Sequence, residues 1–522
     1  MGLSTIDIAV VAIYAISIFA LAQWVSREKK GHEKNAQDYF LASRALPWWA
    51  IGTSLIAANI SAEQIIGMSG QGYTVGLAIA SYEWMAAATL LIVGKWLLPV
   101  FLKNKIYTMP EFLQRRHGAS VRLVMAVFWL VLYVFVNLTS ILWLGATAVH
   151  TVTGMSQDYA LIALGVFAGA YALYGGLKAV ALTDIVQVSL LVLGGLLIAY
   201  IALEQVSGAT GLDAVVFGFN KLRTSFPERF DMILDRSSPY YKDLPGLGVL
   251  LGGLWIMNVS YWGFNQYIIQ RALAAKDTRE AQSGIVLAAF LKLLMPVLVV
   301  LPGIAAVILA PNLPAQDQAY PSVMRLLPGG VLGLVFAALV AAIIASMGSK
   351  INSIATIFTI DLFKPFHTKA SEHTLVLVGR ITAIAALVIA MASARPLLGN
   401  FKGAFSYIQE YTGFVTPGIV VIFLLGMFWR PASTAGAFFA AVASVGTSIL
   451  FKVYAPDIPF MDRVGYAFLI CLGGAVIFSL VFKQKSEVTI ETKDVDYSTS
   501  ASFNIAAAVI VAILVGLYTV FW

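Results

Sequence analysis

The chain has 522 residues, of which 59% are hydrophobic and only 12% charged, with a net charge of +7 and a mean hydropathy of +0.84. These values exclude a soluble globular protein and a disordered chain, and specify an integral membrane protein. One cysteine, Cys471, excludes an intramolecular disulfide. No nucleic-acid motif accompanies the positive charge, which suits cytoplasmic loops facing anionic lipid.

About fourteen apolar runs approach the ~20 residues that a helix needs to cross the hydrocarbon core. They fall near 3–24, 47–70, 76–102, 120–150, 158–174, 182–205, 246–271, 280–310, 329–360, 374–394, 405–429, 433–454, 463–482 and 503–521. The first has no basic segment before it and no small-residue cleavage site, so it is expected to stay as a helix. Lys and Arg cluster after it (Arg27, Lys29, Lys30, Lys34, Arg44) and in alternate later connections, among them Lys103, Arg115, Arg271, Lys364, Arg430 and Lys483. The positive-inside rule puts those connections in the cytoplasm and both termini outside. The segment 206–245 is also basic, but long loops translocate largely regardless of charge.

Two spans are interrupted by polar and glycine clusters: the second at Ala57-Ala58-Asn59-Ile60-Ser61-Ala62-Glu63-Gln64, and the seventh, five spans later, at Asn258 to Gln266. Unwound segments at corresponding places in two five-helix halves point to an inverted-repeat transporter. Polar residues that only knit helices together are the other reading.

Glu83 in the third span and Lys292 in the eighth are charges in mid-membrane, each costing roughly 2.5–3.5 kcal/mol even on the lenient insertion scale. With Gln64, Asn258 and Gln409 they supply acceptors and donors but no nucleophile–base pair, a mixture that suits a polyol. A purely structural ion pair is the alternative. Tyr82, Tyr261, Trp262 and Phe405 adjoin these positions, to cover an apolar sugar face or simply to pack. Ala342, Ser346 and Ser349 share one face of the ninth span, which fits a small hard cation or a tight helix contact. Asp184 begins the sixth span, and Lys350, Asp361 and Glu410 are expected near interfaces or aqueous vestibules. The absence of HExxH, GxxxxGK[ST], nucleophile-elbow and CxxC motifs argues against a protease, an ATP-driven pump or a redox enzyme.

Several blocks together resemble the sodium/solute symporter family, and within it the bacterial sodium-coupled galactose and glucose cotransporters. They are Asp38 to Ala42, Ser54 to Gln64, Tyr174 to Val180, Thr183-Asp184, Trp262 to Tyr267 and Tyr407 to Gly413. The resemblance implies an all-α polytopic fold of about 14 transmembrane helices. One leading helix (with its loop, 1–46) precedes a LeuT-like core of two inverted five-helix repeats, 47–205 and 246–430. The external loop 206–245 separates the repeats, and three trailing helices (431–522) follow.

It further implies sugar contacts at Gln64, Glu83, Asn258, Lys292 and Gln409, with an inner gate at Tyr261 steadied by Asn59. The outer lid falls on Met68, Tyr82 and Phe405. Sodium, the co-transported ion, maps to the carbonyls of Ala57, Ile60 and Ala342 and the hydroxyl of Ser346, with Asp184 on the exit path. Two positions depart from the pattern: Ala345 and Ala86 stand where the close relatives have serines, one a sodium ligand and the other lining the sugar pocket.

The function implied is a secondary active symporter, not an enzyme, that imports a hexose (galactose or glucose) with sodium across a bacterial inner membrane. A sugar-gated sensor or ion pathway, and a symporter of another solute or using another cation, are the alternatives. The partners expected are sugar, sodium and membrane lipid, with no nucleic acid and no required homo-oligomer.

Overall fold

A computed structural model describes residues 2–26, 46–106, 108–174, 177–399, 403–483 and 490–522. Side chains at 19, 21–26, 171–174 and 177–184 lie outside the description, as do the Asp38 to Ala42 block and the Gly-Gly turn after Tyr174. Among the described residues the secondary structure is helical, and every apolar run identified above falls on helix.

Nine helices among the described residues are long and apolar enough to cross a membrane, including Leu77–Lys103, Thr278–Leu309, Val331–Phe366 and Ala501–Val520. The pair Ala404–Thr412 and Thr416–Phe428, bent by 43°, makes a tenth if counted as one span. The first and fifth runs form shorter apolar helices, and the second and seventh are broken. Side-chain caps start several helices where the chain re-enters the apolar zone. Asp277 accepts from the Glu280 N–H, Ser433 from Gly436 and Ser500 from Phe503, each satisfying a donor that the first turn leaves free.

Helix Thr278–Leu309 is the hub. It packs on both halves of the second span, on the third span and on Leu177–Ser207. Small residues allow this approach: a Cβ on Gly52 would stand 2.7 Å from the Gly284 carbonyl oxygen, one on Gly72 2.7 Å from that of Val300, and one on Gly303 would collide with the Ser69 carbonyl. Helices pack this closely in a membrane because van der Waals contact, not water exclusion, holds them together. The trailing helices instead leave Leu469, Ile477, Ile505 and Val515 exposed, as expected of a surface that lipid covers.

The connection 206–245, read from sequence as a loop, is half helical. Leu212–Ser225 forms a helix, Arg229 Nη1 donates to the carbonyls of Tyr73 and Thr74, and the Met232 N–H donates to Phe521 O at 2.7 Å. The segment is therefore fastened over the end of the second span.

Candidate functional site

The break in the second span is built locally. Helix Trp48–Asn59 ends as Ile60 turns extended (φ −68°, ψ 93°), a widened turn follows over Glu63–Gly67, and Met68–Thr74 completes the span. Ser61 Oγ accepts from the Glu63 N–H at 3.2 Å, which satisfies a donor at the restart. The last carbonyls of the first half leave the helical ladder there. The seventh span breaks differently from expectation: Gly252 (φ −131°, ψ −121°) and Asn265 (φ −85°, ψ 120°) leave helical geometry on either side of Gly253–Phe264, which is a regular helix through Asn258 and Tyr261, and Gln266–Leu273 follows. Asn258 therefore sits on regular helix, where its amide donates to Leu254 O at 3.1 Å.

Glu83 and Lys292 meet. Their ion pair is 2.5 Å long and both side chains are at most 2% exposed. Gln64 Nε2 donates to the other Glu83 oxygen at 3.3 Å. Lys292 also donates to Asn59 Oδ1, Asn59 Nδ2 donates to the Tyr261 hydroxyl at 3.0 Å, and the Tyr267 hydroxyl donates to the same oxygen at 3.2 Å. Trp262 lies against the ammonium, 5.1 Å from its ring centre.

A single cavity of about 70 Å³ is lined by Gln64, Glu83, Asn258, Tyr261, Lys292 and Gln409, with Asn59, Tyr82 and Ala86 also on its wall. The expected sugar-site residues thus converge from the second, third, seventh, eighth and eleventh spans. Met68 and Phe405 are buried outside this wall, and Phe405 meets Tyr82 edge to face with centroids 5.1 Å apart.

The chemistry of the cavity is that of a neutral, many-handed hydrogen-bonding surface. A carboxylate accepts, an ammonium donates and amides do both. Because Glu83 and Lys292 neutralise each other, and Glu63, also on the wall, is paired with Lys350, the site offers charge-assisted hydrogen bonds without a net charge to favour an ionic solute.

Beside it, Ala57 and Ile60 at the break, and Ala342 and Ser346 on the ninth span, are all buried, on helices that pack together. Ser346 Oγ is buried with no hydrogen-bond partner among the described residues, an unmet need that a cation ligand position would fill. Ala345, buried alongside, offers only a methyl group. Ser349, on the same face, instead accepts from Arg271 Nη2 at 3.4 Å. Asp184 lies on helix Leu177–Ser207, but its side chain is outside the described residues.

The profile of the sodium:solute symporter family matches residues 39–444. The chain belongs to that family. The symporter is 50% identical to a sodium/glucose cotransporter of Vibrio parahaemolyticus, over 100% of this chain and 99% of that one. It is 32% identical to sodium/glucose cotransporter 4 of Mus musculus, over 89% and 72%, and 31% identical to sodium/myo-inositol cotransporter 2 of Bos taurus, over 84% and 68%. In fold it resembles a substrate-bound, outward-open Na+-coupled sialic acid symporter, with a TM-score of 0.78, 21% identity and coverage of 92% and 98%. A closed nucleobase-cation-symport-1 family transporter is a more distant likeness, with a TM-score of 0.55, 13% identity and coverage of 89% and 100%.

Sequence reasoning misplaced one charged group of the symporter and overlooked its partner. Lys350 is not at an interface or in a vestibule: it is 1% exposed and pairs with Glu63 at 3.6 Å. Asp361 likewise pairs with Arg122 at 2.6 Å, and Glu410 with Lys452 at 3.2 Å and Arg463 at 3.3 Å. The signal for the Glu63 pair was present in two unexplained charges near the break and the cation face, but nothing in the linear order says that they touch.

Proposed function

We propose that this symporter imports a hexose, galactose or glucose, together with sodium by alternating access. The observation that carries the reading is the convergence of Glu83, Lys292, Gln64, Asn258 and Gln409 on one cavity beside a broken helix, where a sugar hydroxyl can exchange water for protein at every turn. The name of the Vibrio relative, 50% identical along the whole chain, supports the choice of solute and cation.

In this scheme sodium enters first, at the carbonyls of Ala57, Ile60 and Ala342 and the hydroxyl of Ser346, and holds the second span against the ninth. That raises the population of the state whose sugar groups are aligned. Sugar then closes Met68, Tyr82 and Phe405 over the site, and the core turns to face the cytoplasm. Sodium leaves past Asp184, freeing Tyr261 from Asn59 to swing aside. The finer architecture belongs to the same proposal. Fourteen crossings comprise a leading helix (1–46), repeats at 47–205 and 246–430 around the external segment 206–245, and trailing helices to 522. Both termini face outward across a bacterial inner membrane, and one copy of the chain suffices.

The test is radiolabelled galactose and glucose uptake into liposomes under an inward sodium gradient, with potassium-only and proton-gradient controls. Sodium-dependent accumulation is the expected result, and sugar uptake indifferent to sodium would discard the cation assignment. A second reading, a different polyol as solute, is favoured by the myo-inositol relative; competition by unlabelled myo-inositol distinguishes it. A sensor that binds sugar without moving it would show no net accumulation.

A further inference from the structure

The buried pair Glu63–Lys350 is assigned no role in the scheme above, although Glu63 lies on the wall of the same cavity. Its ion-pair distance, 3.6 Å, is longer than a hydrogen bond; Asn137 and Ser61 also act on the Glu63 carboxylate, yet one oxygen, Oε1, is buried with no hydrogen-bond partner within bonding distance among the described residues. Glu63 follows Ile60 across the helix break, and Lys350 lies one helical turn, about 6 Å, beyond Ser346 on the same face of the ninth span. The pair therefore borders the residues assigned to sodium without belonging to them. Arg271 is the second cation close enough to act on Lys350. Its own hydrogen bonds go to Ser54 Oγ at 3.1 Å, to the Tyr267 carbonyl and to Ser349 Oγ.

Lys350 also sits over the ring of Tyr267, 5.0 Å from its centre. The Tyr267 hydroxyl holds Tyr261, which holds Asn59, which is held by Lys292. Two buried ion pairs, Glu63–Lys350 and Glu83–Lys292, are thus joined through the residue proposed as the inner gate. A loose pair with a spare carboxylate oxygen is poorly explained as a structural tie, since a buried ion pair offsets its desolvation only with good geometry and satisfied lone pairs.

We propose that Glu63 is a cation-binding carboxylate of the transport path, and that the ammonium of Lys350 is its tethered occupant, competing with sodium and releasing Glu63 when sodium arrives. Removal of Lys350 from Glu63 also lifts it from Tyr267, so the exchange reaches Tyr261 through the hydrogen-bonded chain. The pair sets how tightly sodium is held and ties that occupancy to the gate. The inference rests on sodium coupling as proposed above.

The experiment is a sodium titration, with choline as replacement and no sugar, read by thermal stabilisation of the purified full-length protein. Lys350→Met leaves a bare carboxylate and is expected to lower the sodium midpoint at least about tenfold, while Glu63→Gln leaves a bare ammonium and raises it similarly. Lys350→Arg keeps a tethered cation on Glu63 and should stay near the wild-type midpoint, whereas the double variant Glu63→Gln/Lys350→Met, which lacks the carboxylate, should lose the gain shown by Lys350→Met. Variants that only lose stability in choline, with unmoved sodium midpoints, would overturn the competition and leave a structural pair. Should Lys350→Met fail to fold, Glu63→Gln decides alone: a raised sodium midpoint supports the competition, and a midpoint equal to wild type overturns it. A wild-type protein that sodium does not stabilise would overturn sodium coupling itself, a separate and recognisable failure.

Discussion

Gln64, Lys292 and Ser346 are the side chains on which the functional reading can be tested most directly. Gln64 shares a hydrogen bond with Glu83 at 3.3 Å and is only half-buried, so Gln64→Ala should fold normally and lose sugar binding by about 1–3 kcal/mol, roughly fivefold to a hundredfold in half-saturating sugar. Lys292→Ala is harsher. It strands Glu83 in the membrane, which costs roughly 3–5 kcal/mol for a buried pair, so uptake should vanish and thermal stability fall. Near-normal uptake by either variant, measured in proteoliposomes, would remove that residue from the sugar site. At the proposed cation face, Ser346→Ala should raise half-saturating sodium several-fold without destabilising the fold, because its hydroxyl serves no other described group. Ala345→Ser, which supplies a second hydroxyl beside it, should lower it. Sodium-dependent uptake rates measure both, and unchanged sodium dependence in the pair would place the cation elsewhere.

At the scale of elements, the proposed outer lid is backed by the connection between the eighth and ninth spans. Asp317 there is buried, accepts from the Ala404 N–H at 3.1 Å next to Phe405, and crowds Gly70 of the second span. Burial pushes its carboxyl up to about 6 from the usual 3.8. The folded state therefore binds this proton more tightly than the unfolded chain does. Stability gained from it is full below about pH 4 and is lost as pH rises through 6. Thermal unfolding between pH 4 and 7 should accordingly show a slope, worth roughly 2–3 kcal/mol, that Asp317→Asn removes. Parallel curves for the two proteins would show that the carboxyl is not buried as charge when the lid is closed.

For the whole molecule, the question is how the sodium gradient becomes a sugar gradient. One sodium crossing ~100 mV contributes roughly 2.3 kcal/mol, and a tenfold sodium gradient adds about 1.4, enough for several hundredfold accumulation. With the potential held at zero and a tenfold gradient kept, one-to-one coupling limits accumulation to about tenfold. Liposomes clamped with equal potassium and its ionophore test this. A plateau far above tenfold would mean more than one cation per sugar, and no plateau above unity would mean that sugar moves uncoupled.

Composition and hydropathy by themselves made this a helical membrane protein, because a continuous apolar run of ~20 residues satisfies its backbone in lipid as a helix, whereas a barrel needs short strands of alternating polarity. The polar break at Asn59 to Gln64 was likewise legible, since no other reason for amides and a glutamate in mid-span is cheap. The residue blocks carried the family and the expected sugar positions. What the linear order did not hold was who pairs with whom. Glu83 reaches Lys292 across 209 positions, and Lys350 turns to Glu63 instead of to water, because those contacts exist only once the third span meets the eighth and the second meets the ninth. The regular helix through Asn258, and the folding of segment 206–245 onto the second span, were also decided by tertiary packing. Local sequence offered each of them glycines and polar groups that suit a break or a loop equally well, and contact with neighbouring helices chose between the two.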